Sequence, residues 1–376
     1  MSAGARKIDR FLRLMQDRGA SDLHLAVGRP PMLRLSGELD PVRYRVLTNK
    51  DYVELMKPVA GDALWCQFKQ TGDLDLAYEV EGVARFRVNL FMQARGYGAV
   101  FRLIPSRLMT FAQLGLPKVL NRLCWLGRGL VLVTGPTGSG KSTTLSAIVN
   151  RINEDQRLHI VTIEDPIEFV HPNLRSIVSQ REIGRHAVDF ATAVKAAVRE
   201  DPDLILVGEM RDLETIRTAL QAAEAGFFVF GTLHTNNAAK AVDRIINVFP
   251  EPEQEGVRGA LADSIRAVVA QQLVKRKDGS GRVAALELLF GTQGLSTMIR
   301  DGKTSQITAS IQMGRAVGMI AMDDSLFDLF ARGEISAEGA YEKAIDKSVM
   351  KDRLEAADAG VRIEPEDDAM RAYSST

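Results

Sequence analysis

The run Gly135-Pro136-Thr137-Gly138-Ser139-Gly140-Lys141-Ser142 fits the pattern GxxxxGK[ST], and Thr143 follows it. Glycines at these positions let backbone N–H groups turn inward, and a helix N-terminus behind them adds positive potential. Such a loop wraps a phosphate chain. Lys141 can then reach β- and γ-phosphates, while the Ser142 hydroxyl can ligate Mg²⁺. The apolar run "GLVLVTG" leads into the loop and a helix is expected from about Lys141, which is the strand–loop–helix context the motif requires. Gly135, Thr137, Gly138, Ser139, Gly140, Lys141, Ser142 and Thr143 are therefore expected to hold a nucleoside triphosphate.

A phosphate cradle alone hydrolyses nothing. In-line attack also needs a carboxylate to orient or deprotonate water, and cations to absorb charge on the phosphoryl oxygens. Two acidic sites stand at the ends of apolar runs: Glu164 and Asp165 finish "HIVTIED", and Glu209 finishes "DLILVGE". In an open parallel sheet the C-terminal strand ends face the ligand crevice, so both should share a pocket with the loop. A metal-holding acid usually closes its apolar run directly; here Gly208 intervenes before Glu209. Asp165 precedes Pro166, and capping a turn suits it as well as catalysis does. The run "AGFFVFGTLHTNN" supplies a third tip, carrying His234, one of only five histidines. An isolated histidine is more often structural, but beside these acids His234 could hydrogen-bond a γ-phosphate and report its loss.

The elements that must position these residues follow from period and breakers. "HIVTIED" and "DLILVGE" repeat the continuous apolar pattern of strands buried on both faces. Between them "DFATAVKAAVRE" offers Asp189 as N-cap and stops before Pro202. A second helix is expected from Asp212 to Ala225, ended by Gly226. Strands alternating with helices mean a largely parallel α/β sheet. Upstream, Ile8, Phe11, Leu12 and Met15 recur at helical spacing, and "SDLHLAVG", "DLDLAYEV", "ARFRVNLF" and "GAVFRLIP" read as strands of a small α+β module. The expected organisation is an N-terminal domain over 1–104, a linker over 105–117, the nucleotide domain over 118–355, and a polar tail over 356–376 read as disordered. From Glu251 to about Met350 the reading is mainly helical, with "KRKDGSGR" as an internal turn.

Composition narrows the partners. Lys+Arg (48) balance Asp+Glu (48), so no global field favours nucleic acid or an anionic membrane. Cys66 and Cys124 lie far apart, without zinc-motif or disulfide-framework spacing, which suits a reducing compartment. No apolar run reaches membrane-spanning length and no signal-peptide core follows the basic N-terminus, so a cytosolic chain without membrane insertion is expected.

With the phosphate loop, "TIEDPIEFVH", "REDPDLILVGEMRDLETI" and "GTLHT" in this order, the chain resembles the secretion-superfamily ATPases, and among them the retraction motors of type IV pili. "GASDLHL", "GVARFRVN", "GAVFR" and "MDDSL" extend the resemblance over all but the tail. It implies a RecA-like P-loop NTPase domain preceded by a PAS-like domain, assembled as a homohexameric ring with nucleotide between the two domains. On the same ground Glu164 takes the place of the glutamate that polarises the attacking water. Glu209 takes that of the acid holding Mg²⁺ through water, and His234 that of the His-box histidine. Arg87 and Arg102, ahead of Arg85 and Arg95, match arginines sent from the N-terminal domain to the phosphates.

The implied activity is Mg²⁺-dependent ATP hydrolysis that powers pilus retraction, at the cytoplasmic face of the inner membrane. The implied partners are a membrane platform protein and a second retraction ATPase. An accessory retraction motor, an assembly ATPase of pilus extension or type II secretion, and a slow nucleotide-switched binding module are the alternatives. Assembly relatives are usually longer and often carry a four-cysteine zinc motif, which two cysteines cannot supply. Two positions depart from the family pattern. Phe227 stands where a second histidine is usual, and "GLSTMIRDGK" keeps only Ile299, Arg300 and the acid Asp301 of a C-terminal helix motif.

Overall fold

The computed structural model describes residues 6–35, 37–104 and 108–357. The chain divides into two compact units, Met1–Arg107 with Pro166–Val170, and Leu108–Asp165 with His171–Thr376. The first holds β1 (Asp22–Ala26), β2 (Met32–Leu35), β3 (Glu38–Pro41), β4 (Asp73–Val80), β5 (Ala84–Gln93) and β6 (Gly96–Ile104). These form one antiparallel sheet in the order β3-β2-β1-β6-β5-β4. The helices Asp9–Asp17 and Asn49–Thr71 contribute Leu12, Met15, Tyr52, Met56 and Phe68 to its core. Hydrophobic spacing does not announce the second helix, because Pro58 and Gly61 (φ +75°) break its period. A capping box between Thr48 and Asp51 starts it.

The second unit holds β7 (Gly129–Thr134), β8 (His159–Glu164), β9 (Ile177–Glu182), β10 (Leu204–Val207), β11 (Phe228–Leu233), β12 (Ile265–Lys275) and β13 (Arg282–Phe290). Their order is β13-β12-β7-β11-β10-β8-β9, with every pair parallel except β12 and β13. This is the expected mixed α/β fold, a parallel sheet preceded by a small antiparallel one. Every residue of β7, β10 and β11 is buried, which is why these strands read as unbroken apolar runs rather than alternations. The crossover helices begin where the sequence indicates. Asp189, Asp212 and Asn237 each accept the N–H three residues on, at the N-termini of Phe190–Ala197, Leu213–Glu224 and Ala238–Asn247.

One expectation fails. The stretch from Ile265 to Phe290 is not helical but a β-hairpin, and "KDGSG" is its loop, with Gly279 and Gly281 at positive φ. Strand β12 adds in parallel to β7 and is buried over most of its length, so the alternation that would mark a strand is erased. The helical reading holds for the segments beyond it, including Gln293–Arg300, Met322–Ala331 and Lys347–Ala357. Residues 358–376 of the proposed tail and 105–107 of the proposed linker lie outside the described residues. The rest of the linker includes one helical turn, Phe111–Leu114, boxed by Thr110 and Gln113.

Close packing at the centre of the sheet sets a test. A Cβ on Gly231, in the middle of β11, would stand 2.1 Å from Sδ of the buried Met210. Gly231→Ala is expected to destabilise the chain by about 1–3 kcal/mol. Urea denaturation should show a lower midpoint at unchanged slope.

Candidate functional site

Strand register brings the candidate residues level. Val207 pairs with Ile163 on one side and Gly231 on the other, and Leu233 pairs with Thr134. The residues immediately beyond these pairs are Glu164, Gly208 and Glu209, Thr232 to His234, and the loop from Gly135. All leave the sheet at its C-terminal edge, the side on which parallel α/β sheets bind ligands.

The loop is shaped for backbone approach. Gly135, Gly138 and Gly140 have φ of +152°, +76° and +86°. A Cβ on Gly135 would lie 2.3 Å from the Gln271 carbonyl oxygen, and one on Gly140 2.8 Å from Gln271 Nε2. Gln271, buried on β12, donates from Nε2 to the Ser139 carbonyl (2.7 Å) and accepts from Thr144 Oγ1 (2.7 Å). One amide thus ties the loop to the helix behind it, Lys141–Asp155. The first amides of that helix have no partner within it. Ser139 Oγ is buried and without a hydrogen-bond partner among the described residues. The Lys141 ammonium donates to the carbonyls of Gly135 (2.7 Å) and Pro136 (3.1 Å), while Thr137 and Ser142 are exposed and Thr143 half-buried.

The acids differ in their surroundings. Glu164 closes β8, and its Oε1 accepts from Thr162 Oγ1 (2.6 Å) and Gln180 Nε2 (3.1 Å). Gly208 keeps the neighbouring backbone close: a Cβ there would meet the Ile163 carbonyl at 2.9 Å and Glu164 Cα at 3.2 Å. Glu209 Oε1 accepts from Arg211 Nε and, at 2.6 Å, from His234 Nε2. Burial pushes the Glu209 carboxyl up, but Arg211 and His234 outweigh it and hold the group below its ordinary value. The carboxylate can only accept, so His234 carries its proton on Nε2. His234, expected beside these acids to hydrogen-bond a γ-phosphate, is here paired with Glu209. Its strand tip is pinned on both sides. Thr232 Oγ1 donates to the Gly208 carbonyl, and Thr235 N donates to Thr134 Oγ1 (3.0 Å). Asp165 is exposed.

Phe227 lies before β11, at the strand end opposite His234, roughly 20 Å away for a strand of this length. Its ring packs on the core and its carbonyl accepts from Gly129 N (3.0 Å), so it bears on packing and not on the phosphate edge. In the altered C-terminal motif, Ile299 is fully buried and Arg300 pairs with Asp263.

Arg87 and Arg102 belong to the first unit and face each other as direct cross-strand partners on β5 and β6. They share one face and one rung with Asp22 and Arg34. Arg102 Nε donates to Asp22 Oδ1 (2.8 Å), while Arg87 Nε stands 3.9 Å from Asp75 Oδ1. Burial raises the Asp22 carboxyl, yet Arg102 and Ser21 bring it below its ordinary value.

A family described as type II/IV secretion system protein matches residues 42–364. The chain belongs to that family. Among its members, the type IV pilus retraction ATPase PilT of Pseudomonas aeruginosa is 50% identical over 337 residues, covering 90% of this chain and 98% of the relative. A twitching motility protein of Neisseria gonorrhoeae is 47% identical over 320 residues, covering 85% of this chain and 86% of that one. A crystal structure of the pilus retraction motor PilT with bound ADP superposes with a TM-score of 0.86 at 40% identity, over 92% of this chain and 98% of that one.

Sequence reasoning missed the glutamines and Arg211. Gln271 and Gln180 act through amides that belong to no motif, and Arg211 shows only as a basic neighbour two residues from Glu209. His171 is a further buried group: its Nδ1 has no partner among the described residues, and burial pushes its pKa from 6.5 down to about 4. Between those values the unfolded chain binds a proton that the folded chain refuses, so stability falls as pH falls through that window. Urea titrations at both ends should show the parental chain losing about 3 kcal/mol more than His171→Gln, at the upper limit.

Proposed function

We propose that the chain hydrolyses ATP as a ring motor and that this hydrolysis powers type IV pilus retraction. The observation that carries the reading is likeness to retraction motors over nearly the whole chain, with loop, acids and histidine all at one sheet edge. In this reading the amides at the start of helix Lys141–Asp155 and the Lys141 ammonium take the phosphates, Lys141 exchanging its carbonyl partners for phosphate oxygens.

Ser142 and the ionised Glu209, the latter through water, would hold Mg²⁺. No cluster of three or more acidic, histidine or cysteine ligands exists among the described residues, and so few protein ligands suit an ion that keeps most of its waters. Bound there, Mg²⁺ would neutralise charge on the β- and γ-phosphates.

Glu164 orients a water whose oxygen attacks the γ-phosphorus as the bond to the β,γ-bridging oxygen breaks. The water's proton passes to the carboxylate, and ADP and phosphate leave. His234, hydrogen-bonded to Glu209, couples that acid to the tip of β11 and so to the state of the phosphate. Arg87 and Arg102 are proposed as cations that meet the phosphates in a homohexamer. That ring would act on a platform protein at the cytoplasmic face of the inner membrane, beside a partner ATPase. No described helix is long and apolar enough to cross a membrane.

Two experiments test the reading. Glu164→Gln is expected to lower turnover by about 10²–10⁴-fold while fluorescent-ADP affinity stays within about twofold; parental turnover would remove Glu164 from its role. Deleting the gene should leave cells with excess surface pili and no twitching, whereas bald cells would mean extension instead.

A further inference from the structure

We infer that Gln180 is a positioning residue that fixes the Glu164 carboxylate relative to the phosphate loop. The inference rests on the proposed role of Glu164 and extends it. Gln180 lies on β9, level with Thr162 across the parallel β8–β9 ladder. Both side chains donate to one oxygen of Glu164, Thr162 at 2.6 Å and Gln180 at 3.1 Å.

The orientation of the Gln180 amide is dictated. Its Oε1 accepts the His171 backbone N–H at 2.8 Å. A backbone N–H can only donate, so the amide oxygen must face His171 and the NH₂ must face Glu164. His171 cannot wander, because its loop is pinned to the helix behind the phosphate loop. Asn153, fully buried near the end of Lys141–Asp155, donates to the Pro172 carbonyl (2.7 Å) and accepts from Leu174 N (3.2 Å) and Ser176 N (3.3 Å).

Hydrogen bonds on both sides of the short His171–Ser176 loop therefore link Asn153 of the helix Lys141–Asp155 to Gln180 and, through it, to Glu164. Two donors on Oε1 fix the rotation of the carboxylate, and with it the direction from which the acid meets water. The series joins Glu164 to the C-terminal end of the helix whose N-terminus would take the phosphates. In-line attack is sensitive to displacements of about 1 Å, and a series anchored at both ends limits them.

Two substitutions separate this role from simple loop support. Gln180→Leu removes the hydrogen bonds to His171 N and to Glu164. Gln180→Glu keeps an acceptor for His171 N–H but cannot donate to Glu164 when assayed well above the carboxylate range. Both variants are expected to lose about 10- to 100-fold in kcat. KM for ATP, fluorescent-ADP affinity and the melting temperature of the Glu variant should stay near parental values. A Glu variant with parental kcat beside a slow Leu variant would overturn the inference, leaving Gln180 as loop support only. Parental kcat in both would overturn it as well. Glu164→Gln measured alongside keeps the two levels apart: if it is inactive the proposed function stands whatever Gln180 does, and if it turns over normally the failure lies with Glu164.

Discussion

The register of four parallel strands is the constraint on which the rest depends. Because Val207 is level with both Ile163 and Gly231, and Leu233 with Thr134, every residue one or two steps further on reaches the same edge. A one-residue slip of any of these strands would turn its tip to the other face. Two glycines protect that alignment. Gly231 leaves room for Met210, and Gly208 lets the end of β10 lie against Ile163 and Glu164. The glycine that separates Glu209 from its apolar run is thus required by the neighbouring strand.

Electrostatics divides the work between the two acids. Glu209 is held by Arg211 and His234 below its ordinary value, so it stays an anion able to attract a cation. Glu164 accepts from a hydroxyl and an amide, which orient its carboxylate.

Much of this was legible in the residues. The buried strands announce themselves as apolar runs, the crossover helices by Asp189 and Asp212, and the loop by its glycines and Lys141. The acids could be found because Glu164 closes its apolar run and Glu209 stands just beyond Gly208 at the end of the next. The hairpin Ile265–Phe290 could not, since a strand buried on both faces carries no alternation and its length suits a helix equally. Nor could the clamps: Gln271 meets Ser139 across 132 positions and Gln180 meets Glu164 across 16, and glutamine has no spacing rule to reveal either. His234 was found, but its carboxylate partner depends on the side-by-side order of β11 and β10.

A motor must hydrolyse nucleotide repeatedly at this edge, where a switch need only bind it. Phosphate release by the purified chain at saturating ATP, followed with Mg²⁺ and then with excess EDTA, tests this most directly. Sustained release of many phosphates per chain is expected with Mg²⁺, and none after chelation. Tight nucleotide binding with no more than one phosphate released per chain would contradict repeated hydrolysis and leave a nucleotide-switched binding protein.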